Sequence, residues 1–144
     1  MRSLALVTSL FAASLLCAQG EGDKDLEKLN GVWVPTGVEN GGKKVPDEVI
    51  KDFKLTIKDG TFTARVGDTE GKGTFKIDPM KKPMTMDMLL ETGPLKGKTQ
   101  LAIYELQGTE LKICIGDIDK KERPTNFDTK NKPGVVTFVY KKMQ

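Results

Sequence analysis

The sequence predicts an all-β fold, a single eight-stranded antiparallel up-and-down barrel with one or two short helices. Apolar and polar residues alternate with a period of two through most of the chain after residue 30, which is typical of strands with one buried face. The glycines and prolines, 15 and 7 of the 144 residues, fall mainly between these segments and mark tight turns. About eight short strands joined in this way favour a sequential meander, and closure into a barrel removes its exposed edges.

The first twenty residues have the pattern of a signal peptide. Arg2 precedes an apolar run over residues 4–16 and then a group of small residues, and this run is shorter than the ~20 residues that a transmembrane helix requires. We therefore predict a leader over 1–20 and one exported domain over 21–144, periplasmic or extracellular after cleavage. Lipidation of Cys17 is the alternative, although Leu16 stands where a small residue is expected.

Each later element is predicted from its own pattern. Apolar residues at helical spacing indicate one helical turn at 25–29 and a helix at 46–52. The predicted strands cover residues 32–38, 53–58, 61–66, 74–77, 84–91, 101–106, 111–115 and 135–140. Asp59-Gly60 is a hairpin-turn signal, and a long loop over 116–134 precedes the last strand.

The residue types that are missing restrict the chemistry. The chain has no His, and all of its serines lie within the predicted leader. Ser-His and Cys-His catalysis and His-ligated metals are therefore excluded for the mature chain. We predict that the protein is not an enzyme and carries no cofactor. After cleavage Cys114 is the sole cysteine, so no intramolecular disulfide can form.

The charge balance does not favour nucleic acid as a partner. The formal net charge is +3, from 23 basic and 20 acidic residues that are interleaved along the chain. Such a pattern is typical of a solvated surface of mixed sign. Arginine, the residue best suited to phosphate, occurs after the leader at Arg65 and Arg123 alone.

Two carboxylate patterns are compatible with a site. Asp87 and Glu105 lie within predicted strands and could form the pair that glycoside hydrolysis needs, but a strand carboxylate is usually the outward member of the alternation. Asp117, Asp119 and Glu122 offer the oxygen ligands that calcium prefers, but the segment lacks the third ligand and the glycine of an EF-hand loop. We therefore predict neither a catalytic pair nor a metal site.

The first strand opens with Gly31-Val32-Trp33 after the short helical turn. This Gly-x-Trp start resembles that of the lipocalin and calycin families. The resemblance implies that Trp33 closes one end of the barrel and that a basic residue of the last strand, Lys141 or Lys142, packs over its ring.

Further motifs follow in a fixed order along the chain. They are Asp78-Pro79 with Pro83, Met86-Asp87, Ile103-Tyr104-Glu105-Leu106 and Arg123-Pro124-Thr125-Asn126-Phe127. Together with the Gly-x-Trp start, this set resembles an uncharacterised, planctomycete-enriched domain family of small, often exported proteins over about residues 26–140. The resemblance implies a lipocalin-like barrel and no particular activity.

The scarce residue types supply the candidate ligand-binding positions, which are Trp33, Asp87, Tyr104, Glu105 and Arg123. Pro124 holds Arg123 in an extended conformation, and the guanidinium fork suits a carboxylate. In one interpretation Arg123 fastens the long loop to the barrel by pairing with Asp87 or Glu105. In the other, Arg123 and Tyr104 line a mouth that receives a polar or anionic ligand.

We predict an exported binding module for a small apolar or amphipathic molecule. A barrel of ~8 strands is wide enough to hold one small ligand, and Met84, Met86 and Met88 suit an adaptable pocket. The alternative is a packed scaffold whose loop 116–134 mediates protein or glycan interaction in the cell envelope. The two hypotheses differ in whether the barrel encloses a cavity of ~300 Å³ or more.

Overall fold

The computed structural model describes residues 20–144, which form nine strands and two short helices. In chain order these are α1 (Gly20–Leu29), β1 (Gly31–Asn40), β2 (Lys43–Lys44), α2 (Asp47–Ile50), β3 (Phe53–Lys58), β4 (Thr61–Val66), β5 (Thr69–Asp78), β6 (Met84–Leu90), β7 (Thr99–Gln107), β8 (Glu110–Ile115) and β9 (Val136–Lys142). The leader predicted over residues 1–20 lies outside the described residues, apart from Gly20, where α1 begins. None of the helices in residues 20–144 has the length and apolar composition needed to cross a membrane.

Eight antiparallel strands close into a barrel in the order β1-β3-β4-β5-β6-β7-β8-β9, and β9 pairs back onto β1. The ninth strand, β2, pairs only with the end of β1, where Glu39 lies opposite Lys44. β1 pairs with β3 near its start and with β9 from Trp33 to Asn40, and the β1–β9 ladder contains a β-bulge between Pro35 and Gly37. The predicted all-β fold with an eight-stranded antiparallel barrel is confirmed.

Strand β5 differs most from the sequence prediction, because it begins at Thr69 and not near residue 74. The segment left between the predicted strands 61–66 and 74–77 is therefore mostly strand. Gly71 and Gly73 carry no side chains and hide the alternation, yet they pair with Ala64 and Phe62 of β4. The backbone ladder continues through them, and the turn is confined to Gly67 and Asp68.

Helix α1 packs at one end of the barrel, which we call the Trp33 end. Leu29 and Trp33 are fully buried there, and Leu26 packs against the same core. The indole Nε1 of Trp33 donates a hydrogen bond to the Leu29 carbonyl at 2.8 Å. The end of the helix is thus tied to the first strand.

The loop over residues 116–135 lies against the outside of the barrel and is fastened at several points. Ile103, Cys114 and Thr137 form a cross-strand row on the outer face, and this row is buried although it points away from the core. Thr137 Oγ1 donates to the Phe127 carbonyl at 2.9 Å. Thr129 is fully buried and donates to Glu39 Oε1 at 2.8 Å. The loop therefore adds a second packed layer to one side of the barrel.

Candidate functional site

A cavity of about 350 Å³ lies at the end of the barrel opposite Trp33. Its lining includes the first residue of β3, Phe53, and the last residues of β4 and β6, Val66 and Leu90. Trp33 lies near the start of β1, opposite Lys142, the last residue of β9, and does not line the cavity. The cavity reaches solvent at Val66, which is about half exposed.

The cavity exists because two neighbouring strands carry small residues at inward-facing positions. Gly71 of β5 pairs with Ala64 of β4, and both line the cavity. A Cβ built at Gly71 would meet nothing closer than 3.6 Å. At Gly73 a Cβ would overlap the Leu89 carbonyl and lie 2.9 Å from the ring of Phe62, so that ring already fills the space above Gly73. At Gly71 a Cβ would make only ordinary contacts, so the space beyond it stays part of the cavity.

The walls of the cavity are mostly apolar and uncharged. Buried lining residues come from five strands and are Leu55, Phe62, Met88, Leu90, Ile113 and Tyr140. Desolvation by burial raises the pKa of Tyr140, so its phenol stays protonated and neutral at physiological pH. Such a surface suits the apolar part of a ligand.

The loop between β6 and β7 covers part of the opening with Pro94 and Leu95, which both line the cavity. The loop is closed on itself, because Gly97 N donates to the Leu90 carbonyl at 2.7 Å and Lys98 N donates to the Leu95 carbonyl at 3.0 Å. Gly97 has a φ of 84°, which a glycine adopts without strain. The loop therefore forms a compact rim.

The structure places Trp33 away from this cavity. Its ring packs beneath Lys142, whose Nζ lies 5.6 Å from the ring centroid, while Lys141 is exposed. Of the two basic residues that the lipocalin resemblance implied for this contact, Lys142 is therefore the one observed.

Arg123 and Asp87 meet on the outer face of the barrel. Arg123 Nη2 donates to Asp87 Oδ1, and Nη1 donates to the Ala102 carbonyl at 2.8 Å and, more weakly, to the Met86 carbonyl at 3.4 Å. One loop residue thus spans β6 and β7. Of the two carboxylates considered as partners, Asp87 is the one that pairs with Arg123.

Tyr104 lies in the core on the other side of this wall, so it does not share a mouth with Arg123. Its side chain is buried, and its hydroxyl has no hydrogen-bond partner in the part of the chain that the structure describes. Desolvation by burial, followed by the charges of Asp25 and Asp78, raises the pKa of Tyr104 to about 12. The phenol is therefore neutral near pH 7.

Glu105 is separated from Asp87 along the sheet. Asp87 pairs with Leu101 of β7, and Glu105 lies four residues further along that strand, about 13 Å away at the usual rise per residue. Glu105 instead accepts a hydrogen bond from Gln107 Nε2 at 2.7 Å. The two carboxylates do not form the close pair that glycoside hydrolysis needs. A ligand-binding role for Trp33 and the other four candidates stays a prediction.

The acidic residues Asp117 and Asp119 of the long loop contact other groups of the protein. Asp117 Oδ1 accepts a hydrogen bond from Asp119 N at 2.9 Å, and Asp119 lies 3.6 Å from Lys98 Nζ. Within residues 24–144, whose side chains are described, no group of three or more Cys, Asp or Glu residues is arranged to hold a metal ion.

Sequence reasoning missed the residues that make the cavity, above all Ala64 and Gly71. A signal for them is present, because Ala64, Gly71 and Gly73 are small residues on adjacent strands. It becomes readable only with the register, which sets Ala64 opposite Gly71 on the inward face.

No family model, curated protein or solved structure matches the chain. The fold and the cavity define it as a small closed antiparallel barrel with an apolar cavity at one end. Membership of the planctomycete-enriched family, suggested by the ordered motifs, stays a prediction.

Proposed function

We propose that this protein is an exported binding module that holds a small apolar or amphipathic molecule in the cavity opposite Trp33. The observation that carries the proposal is the cavity itself, about 350 Å³ with mostly apolar walls at an end of the barrel that reaches solvent. Ligand sites in proteins usually have volumes of ~300–1,000 Å³. Export is supported by the leader-like pattern of residues 1–20.

The apolar walls supply the main driving force in this proposal. Each buried methylene group contributes ~0.8 kcal/mol, so about ten of them contribute on the order of 8 kcal/mol before the cost of ordering the ligand. An affinity in the micromolar range requires ~8 kcal/mol net, so we expect dissociation constants at or above micromolar.

The proposal is tested with N-phenyl-1-naphthylamine, an uncharged apolar dye that fluoresces when it leaves water. The wild-type protein should bind it, and Gly71→Leu should abolish binding because the new side chain occupies the cavity. Gly37→Leu is the matched control, since Gly37 lies on β1 away from the cavity and a Cβ there has nothing within 4 Å. Equal binding by wild type and Gly71→Leu, with both folded by circular dichroism, would contradict the proposal.

A second candidate function rests on the long loop. A depression of about 360 Å³ lies between residues 116–125 and 131–135, and Lys120, Thr125 and Asn131 are among the polar residues that border it. It supports the alternative that the loop binds a protein or glycan of the cell envelope. In an NMR titration with soluble oligosaccharides, shifts centred on Thr125 and Asn131 would support it, and an unchanged spectrum would count against a glycan partner.

A further inference from the structure

We propose that the ligand of the cavity is a single-chain amphiphile with an anionic head group, held head outward by Lys54 and Arg65. This inference rests on the proposed function and specifies the class of molecule for the same cavity. Its basis is the distribution of charge around the opening, which differs from the mixed charge of the chain as a whole.

The charged residues that line the cavity are Lys54 and Arg65, and both are positive. They are direct cross-strand partners on β3 and β4, and both are exposed. Like charges directly opposite each other on a sheet are unfavourable. An anion placed between them at the opening would remove this repulsion and gain two favourable contacts.

The acidic groups near this pair leave it with excess positive charge. Glu70 Oε2 lies 3.1 Å from Arg65 Nη2, but Glu70 Oε1 also lies 3.5 Å from Lys72 Nζ, so one carboxylate is shared by two cations. A guanidinium has five N–H donors, which leaves Arg65 able to bind a second anion. Among the residues whose side chains are described, Lys54 makes no ion pair.

Two further acids lie close by, on a recess that the pair also borders. Asp52 and Asp68 border a shallow depression outside the barrel, together with Lys51, Lys54 and Arg65. Neither acid lines the apolar cavity. The charges that a bound head group would meet at the cavity opening are therefore those of Lys54 and Arg65.

The interior decides the orientation of the ligand. Its buried wall residues, such as Met88 and Ile113, offer no charged partner, and burying an unpaired charge costs several kcal/mol. The head group therefore stays at the opening and the chain enters. One water takes up ~30 Å³ of liquid, so 350 Å³ holds about a dozen groups of that size and fits a saturated chain of roughly eight to twelve carbons.

The test compares three ten-carbon probes with different heads by isothermal titration calorimetry at low ionic strength. We expect decanoate to bind about tenfold more tightly than 1-decanol or decyltrimethylammonium, and the difference to shrink in 0.5 M salt because the charges are screened. Equal affinity for decanoate and decyltrimethylammonium would overturn this inference while leaving the proposed function in place. Failure of all three probes to bind would overturn both.

Variants locate the head group. Lys54→Gln with Arg65→Gln should bring the affinity for decanoate to within about twofold of that for 1-decanol, whose binding should not change. Lys54→Gln alone, at an exposed position, should give about a threefold loss. Lys58→Gln is the matched control, since Lys58 lies on the same face of β3 at the Trp33 end and should have no effect. A tenfold preference for decanoate that persists in the double variant would overturn the assignment.

Discussion

Arg123 and Asp87 are joined across the outer wall of the barrel, and this pair fixes a loop of twenty residues to two strands. The ion pair by itself contributes little to stability, because the Asp87 side chain is 47% exposed and solvent weakens such a pair. The carbonyl groups of Ala102 and Met86 also accept hydrogen bonds from the other guanidinium nitrogen, Arg123 Nη1. Arg123 therefore acts mainly as a bridge between the loop and the backbone of the barrel.

Replacing Arg123 should destabilise the protein more than replacing its acidic partner. Arg123→Gln loses the charge-assisted bond and the contacts to both carbonyls, and we expect a loss of about 2 kcal/mol in the free energy of unfolding. Asp87→Asn should cost less than about 1 kcal/mol. Urea denaturation measures both, and Arg65→Gln serves as a surface control. A change below about 0.5 kcal/mol in Arg123→Gln would contradict the bridging role.

The contact between Lys142 and Trp33 should depend on glycine at position 31. Gly31 has a φ of 140°, and a Cβ there would lie 2.6 Å from Lys142 Cε. Gly31→Ala should therefore displace the Lys142 side chain and destabilise the fold by about 1–2 kcal/mol. Fluorescence of Trp33 and thermal unfolding measure the two effects.

Substitution of Lys142 separates its charge from its packing. Lys142→Met keeps most of the side-chain volume and should cost about 0.5–1 kcal/mol, the usual value for a cation over an indole ring. Lys141→Met, at the exposed neighbour, should change stability by less than about 0.5 kcal/mol. Equal effects of the two variants would argue against a cation–π contribution.

The buried phenol of Tyr104 should make the protein less stable at high pH. Its pKa is raised to about 12 in the fold, mainly by desolvation, whereas the ordinary value is 10. The stability of the fold is unaffected by this group below pH 10, where Tyr104 is neutral in both the folded and the unfolded chain. Between pH 10 and 12 the unfolded chain ionises first, so the free energy of unfolding falls as pH rises. Each pKa unit corresponds to about 1.4 kcal/mol.

Denaturation of Tyr104→Phe measures this contribution. The variant should show a smaller fall in unfolding free energy between pH 10 and 12, and near pH 7 it should be as stable as wild type or more stable, because an unpartnered buried hydroxyl is removed. Tyr140 also has a raised pKa, so part of the fall should remain. An unchanged pH profile would show that Tyr104 does not titrate in this range.

Cys114 should be inert in the folded protein. It is fully buried beneath the long loop, and desolvation raises the pKa of its thiol. Alkylation by iodoacetamide at pH 8, followed by mass spectrometry of the Cys114 peptide, should be at least about a hundredfold slower in buffer than in 6 M urea. Comparable rates in the two solutions would contradict the buried position.

The strand pattern was readable from the sequence because burial on one face imposes a period of two. Strand β4 begins and ends where the alternation predicted, and β6 does so to within one residue. The pattern failed in the first half of β5, because Gly71 and Gly73 carry no side chain to show it. The two-residue β2 is too short to produce a period and was not predicted.

The candidate site was less accessible to this reasoning. Trp33, Arg123 and Tyr104 were chosen because their residue types are rare in the chain. In the structure each packs or forms hydrogen bonds away from the cavity. The cavity depends instead on common residues such as Ala64 and Gly71. These residues leave space because they are neighbours on adjacent strands, and neither position taken alone predicts a cavity.

The sequence by itself determined that this chain forms an antiparallel barrel and that histidine chemistry is excluded, because alternation and composition are read directly from the residues. The tertiary structure alone decided where the space lies and which charges surround it. Register brings Ala64 opposite Gly71 and Lys54 opposite Arg65. These pairings join residues that are seven and eleven positions apart, and they are fixed only when both strands are packed into one closed sheet.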